Sequence, residues 1–98
     1  MNLNIGNIGV YGFRHYEHLE QNKPITISVM RLNGTLEKYL TEVNREATEM
    51  LETLVRQYAK EEGVTEALKR MDQLGWVRQM NNIRNRAEEI VLNEIIYK

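Results

Sequence analysis

His15 and His18 stand three residues apart around Glu17, and two imidazoles at that spacing on one helix face could ligate a metal ion. A metal centre also needs further ligands and outer partners, and the chain has no other His and no Cys to supply them. The Glu that directly follows the first His in zinc proteases is missing too. The sequence therefore reads as two solvated surface histidines, with no metal and no other cofactor. Paired carboxylates occur at Glu61-Glu62 and Glu88-Glu89. Adjacent residues on a helix diverge by about 100°, so neither pair can close on one substrate atom as an acid–base dyad. Gly6, Gly9 and Gly12 are evenly spaced but lack the strand–glycine–helix context that cradles phosphate. No residues are left to carry catalysis, and the expectation is a protein that is not an enzyme.

Two polar groups invite other roles. Glu94, projected at the helical angle, falls in line with Trp76 and Ala87 on an apolar stripe that Arg84 flanks. A buried carboxylate without a partner is costly, so the sequence predicts a buried polar network of Glu94, Arg84, Arg14 and Arg31. In it, Arg14 or Arg31 meets Glu94 and Arg84 pairs with Glu88. A register-fixing salt bridge is the plainer use of such a network, and a ligand pocket inside the bundle is the sharper one.

Charge is also uneven. Residues 63–86 hold five bases and two acids, whereas residues 35–62 hold seven acids and four bases. Lys69, Arg70, Arg78, Asn82, Asn85 and Arg86 form a candidate DNA-contact set, because Arg and Asn pair bidentately with guanine and adenine edges. Ala59, Gly63 and Val64 fit helix-turn-helix offsets, yet Lys69 then stands where a buried residue belongs. The net charge of -1 offers no global attraction to nucleic acid.

These residues must be positioned by helices. With 98 residues, 42% hydrophobic and 28% charged, the chain suits one globular domain over 1–98. Residues 1–10, rich in Asn and Gly, read as an extended arm. A first helix over 11–22 carries Phe13, Tyr16 and Leu19 at intervals of three. A second begins at Pro24 and stops before Gly34. Its Ile25, Ile27 and Val29 alternate like a strand, but helix is the preferred reading.

Residues 35–62 give the clearest pattern. Thr35 is placed to cap the helix, and Leu36, Leu40, Val43, Ala47, Met50, Leu51, Leu54 and Tyr58 form one stripe with coiled-coil-like spacing. Thr65 caps a short helix through Met71. A last helix over 76–97 buries Trp76, Met80, Ile83, Ala87, Ile90 and Val91.

The C-terminal run Glu62-Gly-Val-Thr-Glu-Ala-Leu-Lys69, with Trp76-Val77, Met80-Asn-Asn-Ile-Arg84 and Ala87-Glu-Glu-Ile-Val-Leu92, closely resembles the transposon-encoded TnpV family. The likeness continues through Tyr11-Gly12, Arg14, Tyr16, Leu19 and Gly34-Thr35-Leu36, and the β-branched stretch 24–29 departs from it. It implies a small helical protein of bacterial mobile elements and supplies no catalytic residues to carry over.

The final apolar cluster, Leu92, Ile95, Ile96 and Tyr97, broadens the last turns until they need cover on several sides, and forms a candidate dimer interface. Together these features predict an all-α bundle with a long central helix antiparallel to a long C-terminal one, closed by short N-terminal helices. The expected role is an accessory protein of the element that acts through protein contact as a homodimer. DNA binding, as an excision cofactor or repressor, is the alternative. No stretch approaches a membrane span and residues 1–10 lack a secretory signal, so the expected location is the cytoplasm.

Overall fold

The structure is a computed structural model that describes residues 5–98, with side-chain surroundings from Ile8 onward. It is all helical among those residues. The order is α1 (Ile5–Asn22), α2 (Pro24–Asn33), α3 (Leu36–Glu61), α4 (Glu66–Met71) and α5 (Gln73–Val91), and the chain finishes in a wider π-turn over Leu92–Ile96.

The 26-residue α3 is the spine. Leu36, Leu40, Val43, Ala47 and Val55 are buried along it, and Met50, Leu51, Leu54 and Tyr58 pack at its margins. At 1.5 Å per residue its stripe runs about 39 Å, longer than one partner of ordinary length can cover. Two helices share the task. Ile8 and Leu19 of α1 join Ile27, Leu36 and Leu40 in a cluster at one end. At the other end, Ile83 and Ala87 of α5 meet Val55 and Val64. In between, Val91 and Ile96 close on Val43 and Ala47, so α5 runs antiparallel to α3, as the sequence predicts.

α1 is therefore a principal layer rather than a short lid, and its start differs from expectation. The expected arm over 1–10 is helical from Ile5 on, with one break at Gly9, while residues 1–4 lie outside the described residues. Gly9 has φ 73° and ψ 177°, a combination essentially confined to glycine. Beyond the break, the Asn44 side-chain oxygen of α3 accepts hydrogen bonds from the N–H groups of Tyr11 (3.0 Å) and Gly12 (3.3 Å). A residue of the neighbouring helix thus caps this one. The glycines permit the approach: a Cβ at Gly9 would lie 2.3 Å from Asn44 Oδ1, and one at Gly12 would lie 2.7 Å from the Leu40 carbonyl oxygen.

α2 forms despite its β-branched residues. Pro24 fits its first turn, Gly34 ends it in the left-handed conformation, and no neighbouring strand competes for its backbone among the described residues. Thr35 does not cap α3 with its side chain. Its N–H instead bonds the Met30 carbonyl (2.9 Å), so it closes the end of α2. Thr65 does cap α4, accepting from the Leu68 N–H at 3.3 Å, and Asp72 caps α5 through Gly75 at 3.0 Å, three residues before the expected start.

The result is long and thin, 55 × 22 × 17 Å, with a radius of gyration of 16.9 Å. A compact chain of this length would have about 13 Å.

The crossing of α1 and α3 yields a direct prediction. Gly9→Ala should lower stability by about 1–3 kcal/mol through backbone strain and crowding of Asn44, and Asn44→Ala by about 1 kcal/mol through the lost cap. Urea unfolding measures both, and an unchanged midpoint for Gly9→Ala would mean the break is absent.

Candidate functional site

The densest polar chemistry lies where the end of α5 meets α1. His15 is buried, 5% exposed, contrary to the solvated position expected from sequence. It belongs to a stripe of Ile8, Gly12, His15 and Leu19, spaced four, three and four, which faces α3. In the sequence that spacing overlaps the run of Phe13, Tyr16 and Leu19 at intervals of three, and the two share Leu19. His15 Nδ1 lies 2.8 Å from the Ile96 carbonyl oxygen, and Nε2 lies 2.9 Å from the Tyr39 hydroxyl. A carbonyl only accepts, so Nδ1 carries the proton and Nε2 accepts from the Tyr39 O–H. The ring thus joins α1, α3 and the C-terminal turn.

Around it, His18 stacks at 6.2 Å from His15 and meets the Tyr97 ring edge-on at 5.5 Å. Burial pulls the His15 pKa below its ordinary value; the Ile96 carbonyl opposes this, while His18 and Lys23 add to the depression. Burial, then the Glu46 carboxylate, raises the Tyr39 hydroxyl. Among the described residues no three His, Cys, Asp or Glu side chains converge as a metal set.

Glu94 takes no part in a buried network. It is exposed, because the turn over Leu92–Ile96 is wider than an α-turn and rotates the last residues. Val91 and Ile96, five apart, share the buried face that a regular helix would have assigned to Glu94. The arginines go elsewhere. Arg14 meets Glu88 at 3.7 Å, Arg31 bonds the Tyr16 hydroxyl and reaches Glu20, and Arg84 is exposed beside Leu51 and Val55. The network of Glu94, Arg84, Arg14 and Arg31 does not assemble.

The DNA-contact set is also divided. Lys69, Arg70, Arg78, Asn82 and Asn85 are exposed, and Lys69 lies over the Trp76 ring at 4.6 Å. Arg86 is committed inward: it bonds Glu62 at 2.7 and 2.8 Å and stacks on Tyr58 at 5.2 Å, tying α5 to the end of α3. Of the four residues expected at a dimer interface, Ile96 is buried within the chain, Leu92 and Ile95 are half-covered, and Tyr97 is exposed against His18.

Apolar surface lies instead at the two ends. Ile25, Val29 and Leu32 of α2 are 79, 48 and 88% exposed, and Met71, Leu74 and Val77 at the α4–α5 elbow are 85, 76 and 40% exposed. Both clusters were readable as residues. Their exposure depends on which helix stops short of them.

Fold and surface together define a slender all-α protein whose buried polar junction fastens helices and whose uncovered surface is apolar at both ends. Residues 2–96 match the family described as transposon-encoded protein TnpV, and the chain belongs to that family. No curated protein and no solved structure matches it significantly. Among the described residues no helix is long and apolar enough to cross a membrane.

The junction should make stability depend on pH. The folded His15 pKa lies below the unfolded value near 6.5, so its contribution is full above that value and is lost as pH falls through the folded pKa. The unfolding midpoint should therefore drop as pH falls below about 6.5, and His15→Gln should flatten that part of the profile. A profile equally steep in the variant would assign the dependence to other groups.

Proposed function

We propose that this chain is a non-enzymatic accessory protein of a bacterial transposable element, acting in the cytoplasm by contact with another protein and pairing with a second copy of itself. The observation that supports this reading is the face of α2. Ile25, Val29 and Leu32 recur at four and three residues, so they form one continuous apolar stripe, while Ile27 on the opposite side is buried. Single exposed apolar residues are ordinary on a protein surface, but a full stripe on a helix is the form that a helix-in-groove partner recognises. Arg31, the one charged residue of α2, is engaged with Tyr16 and Glu20.

The test is pairwise co-purification with each protein encoded beside it in the element. Ile25→Ser/Leu32→Ser should keep its unfolding midpoint within about 0.5 kcal/mol, as exposed positions do. It should weaken the partner complex at least tenfold, the scale of a lost interface anchor. Unchanged affinity would remove α2 from the contact.

Exposed Arg70, Arg78, Asn82 and Asn85 keep the DNA-binding reading as the rival. On the protein-contact reading, micromolar protein ignores DNA from the element ends at both low and moderate salt. Binding with a steep salt slope, lost in Arg70→Ala/Arg78→Ala, would replace that reading with the rival.

A further inference from the structure

The flank of α3 beside the C-terminal turn stays open and carries a groove. Two adjoining hollows there, of about 480 and 240 Å³, meet at Glu46 and Ile95. Val43 lies at the base, and Met50, Leu54 and Ile95 add half-buried apolar side chains. From Tyr39 to Leu54 the lining runs about 22 Å along α3, the length of four helical turns. The flexible side chain of a methionine lets such a floor adapt to the shape of an apolar partner.

The rim is acidic. Glu42, Glu46 and Glu49 follow one another at intervals of four and three along one edge, and Glu94 stands on the C-terminal turn. Arg45 pairs with Glu42 and, at 2.7 Å, with Glu49. Glu46 and Glu94 make no salt bridge among the described residues, and Lys98 is the only described base that lines either hollow. Carboxylates along this rim repel phosphate, so nucleic acid and anionic lipid do not suit the face. A purely ionic ligand would leave the apolar floor wet.

The chain does not supply the complement itself. α2 holds one base, Arg31, which is engaged with Tyr16 and Glu20. The α4–α5 elbow has exposed bases beside apolar side chains, but it faces the other way. Val77 shares the face of Arg84, and Arg84 lies with Glu52 and Arg56 on the opposite flank of α3.

We propose that the groove receives a basic amphipathic helix of another protein, about four turns long. Its apolar stripe lies on Met50, Leu54 and Ile95, and lysines or arginines bordering the stripe meet Glu46 on α3 and Glu94 on the turn. Opposite charge then fixes the register of a contact whose area is mainly apolar. The inference rests on the preceding proposal only in the premise that the chain acts by protein contact. It uses a surface separate from the α2 stripe, so either can fail alone.

Fluorescence anisotropy of a labelled synthetic peptide with the full chain tests it. The peptide has about 15 residues, with Leu at helical spacing and Lys on both borders of the Leu stripe. It should bind at micromolar concentration and more weakly as salt is raised. Replacing every Lys by Glu, or every Leu by Ser, should cost at least tenfold in affinity. Glu46→Lys/Glu94→Lys changes two exposed residues, and circular dichroism shows whether the variant is folded. It should bind the Lys peptide at least tenfold more weakly and the Glu peptide more tightly than the unaltered chain does. Amide resonances of Glu46, Met50 and Ile95 should shift when the Lys peptide is added and stay constant with protein concentration alone. Ile25→Ser/Leu32→Ser should bind the peptide as the unaltered chain does. The inference is overturned by a Lys peptide that does not bind, by Glu or Ser peptides that bind equally well, or by a groove variant with unchanged preference. Peptide binding lost with the α2 variant, shifts confined to α2 or the elbow, or groove shifts that follow protein concentration (a second copy in the groove) would overturn it too.

Discussion

The structure depends on one constraint: α3 carries an apolar stripe along 26 residues, and among the described residues no single helix covers all of it. α1 and α5 divide the stripe, one from each end, and their meeting point falls opposite Val43 and Ala47. A compact four-helix bundle would wrap such a spine on several sides. Here α2 and α4 are too short and too near the ends to do so, at 10 and 6 residues. The slender shape, the open flank of α3 and the exposed apolar residues at both ends follow from that division.

Where two covering helices meet, backbone groups need partners, and the polar residues of the core are concentrated there. Asn44 caps the resumed part of α1. His15 takes the proton arrangement that its neighbours impose, donating to the Ile96 carbonyl and accepting from Tyr39. Neither residue needs a charge to do this, which suits a site with little water. Arg86 does comparable work at the far end through Glu62 and Tyr58, but at a half-exposed position where screening leaves the ion pair modest value. Asn44, His15 and Arg86 are therefore spent on joining helices.

The legibility of the sequence followed the regularity of each element. The stripe of α3, the Pro24 start and Gly34 stop of α2, and the Thr65 cap depend on local signals and were readable. Three features depended on neighbours and were not. Gly9 could be recognised as a break in a helix only once Asn44 was known to stand against it. His15 looked solvated because a polar residue beside Glu17 gives no sign of a carbonyl 81 positions later. A regular helix would turn Glu94 inward, but residues 92–96 widen into a π-turn, and the extra residue in that turn gives the buried place to Ile96. Arg86 reads as solvent-facing for a related reason, since its partner Glu62 lies beyond its own helix, at the end of α3. The apolar ends were legible as residues, but only the short reach of the covering helices showed which of them remain uncovered.

Native-state hydrogen exchange tests most directly whether α1 and α5 jointly cover one spine. The account predicts the slowest amides in α3 from about Leu40 to Val55, with the Gly12–Leu19 part of α1 and the Ile83–Val91 part of α5 opening together with it and at similar free energy. α2 and α4 should exchange much faster. Free exchange throughout α1 while the first half of α3 stays protected would contradict the account, because something other than α1 would then be covering the spine.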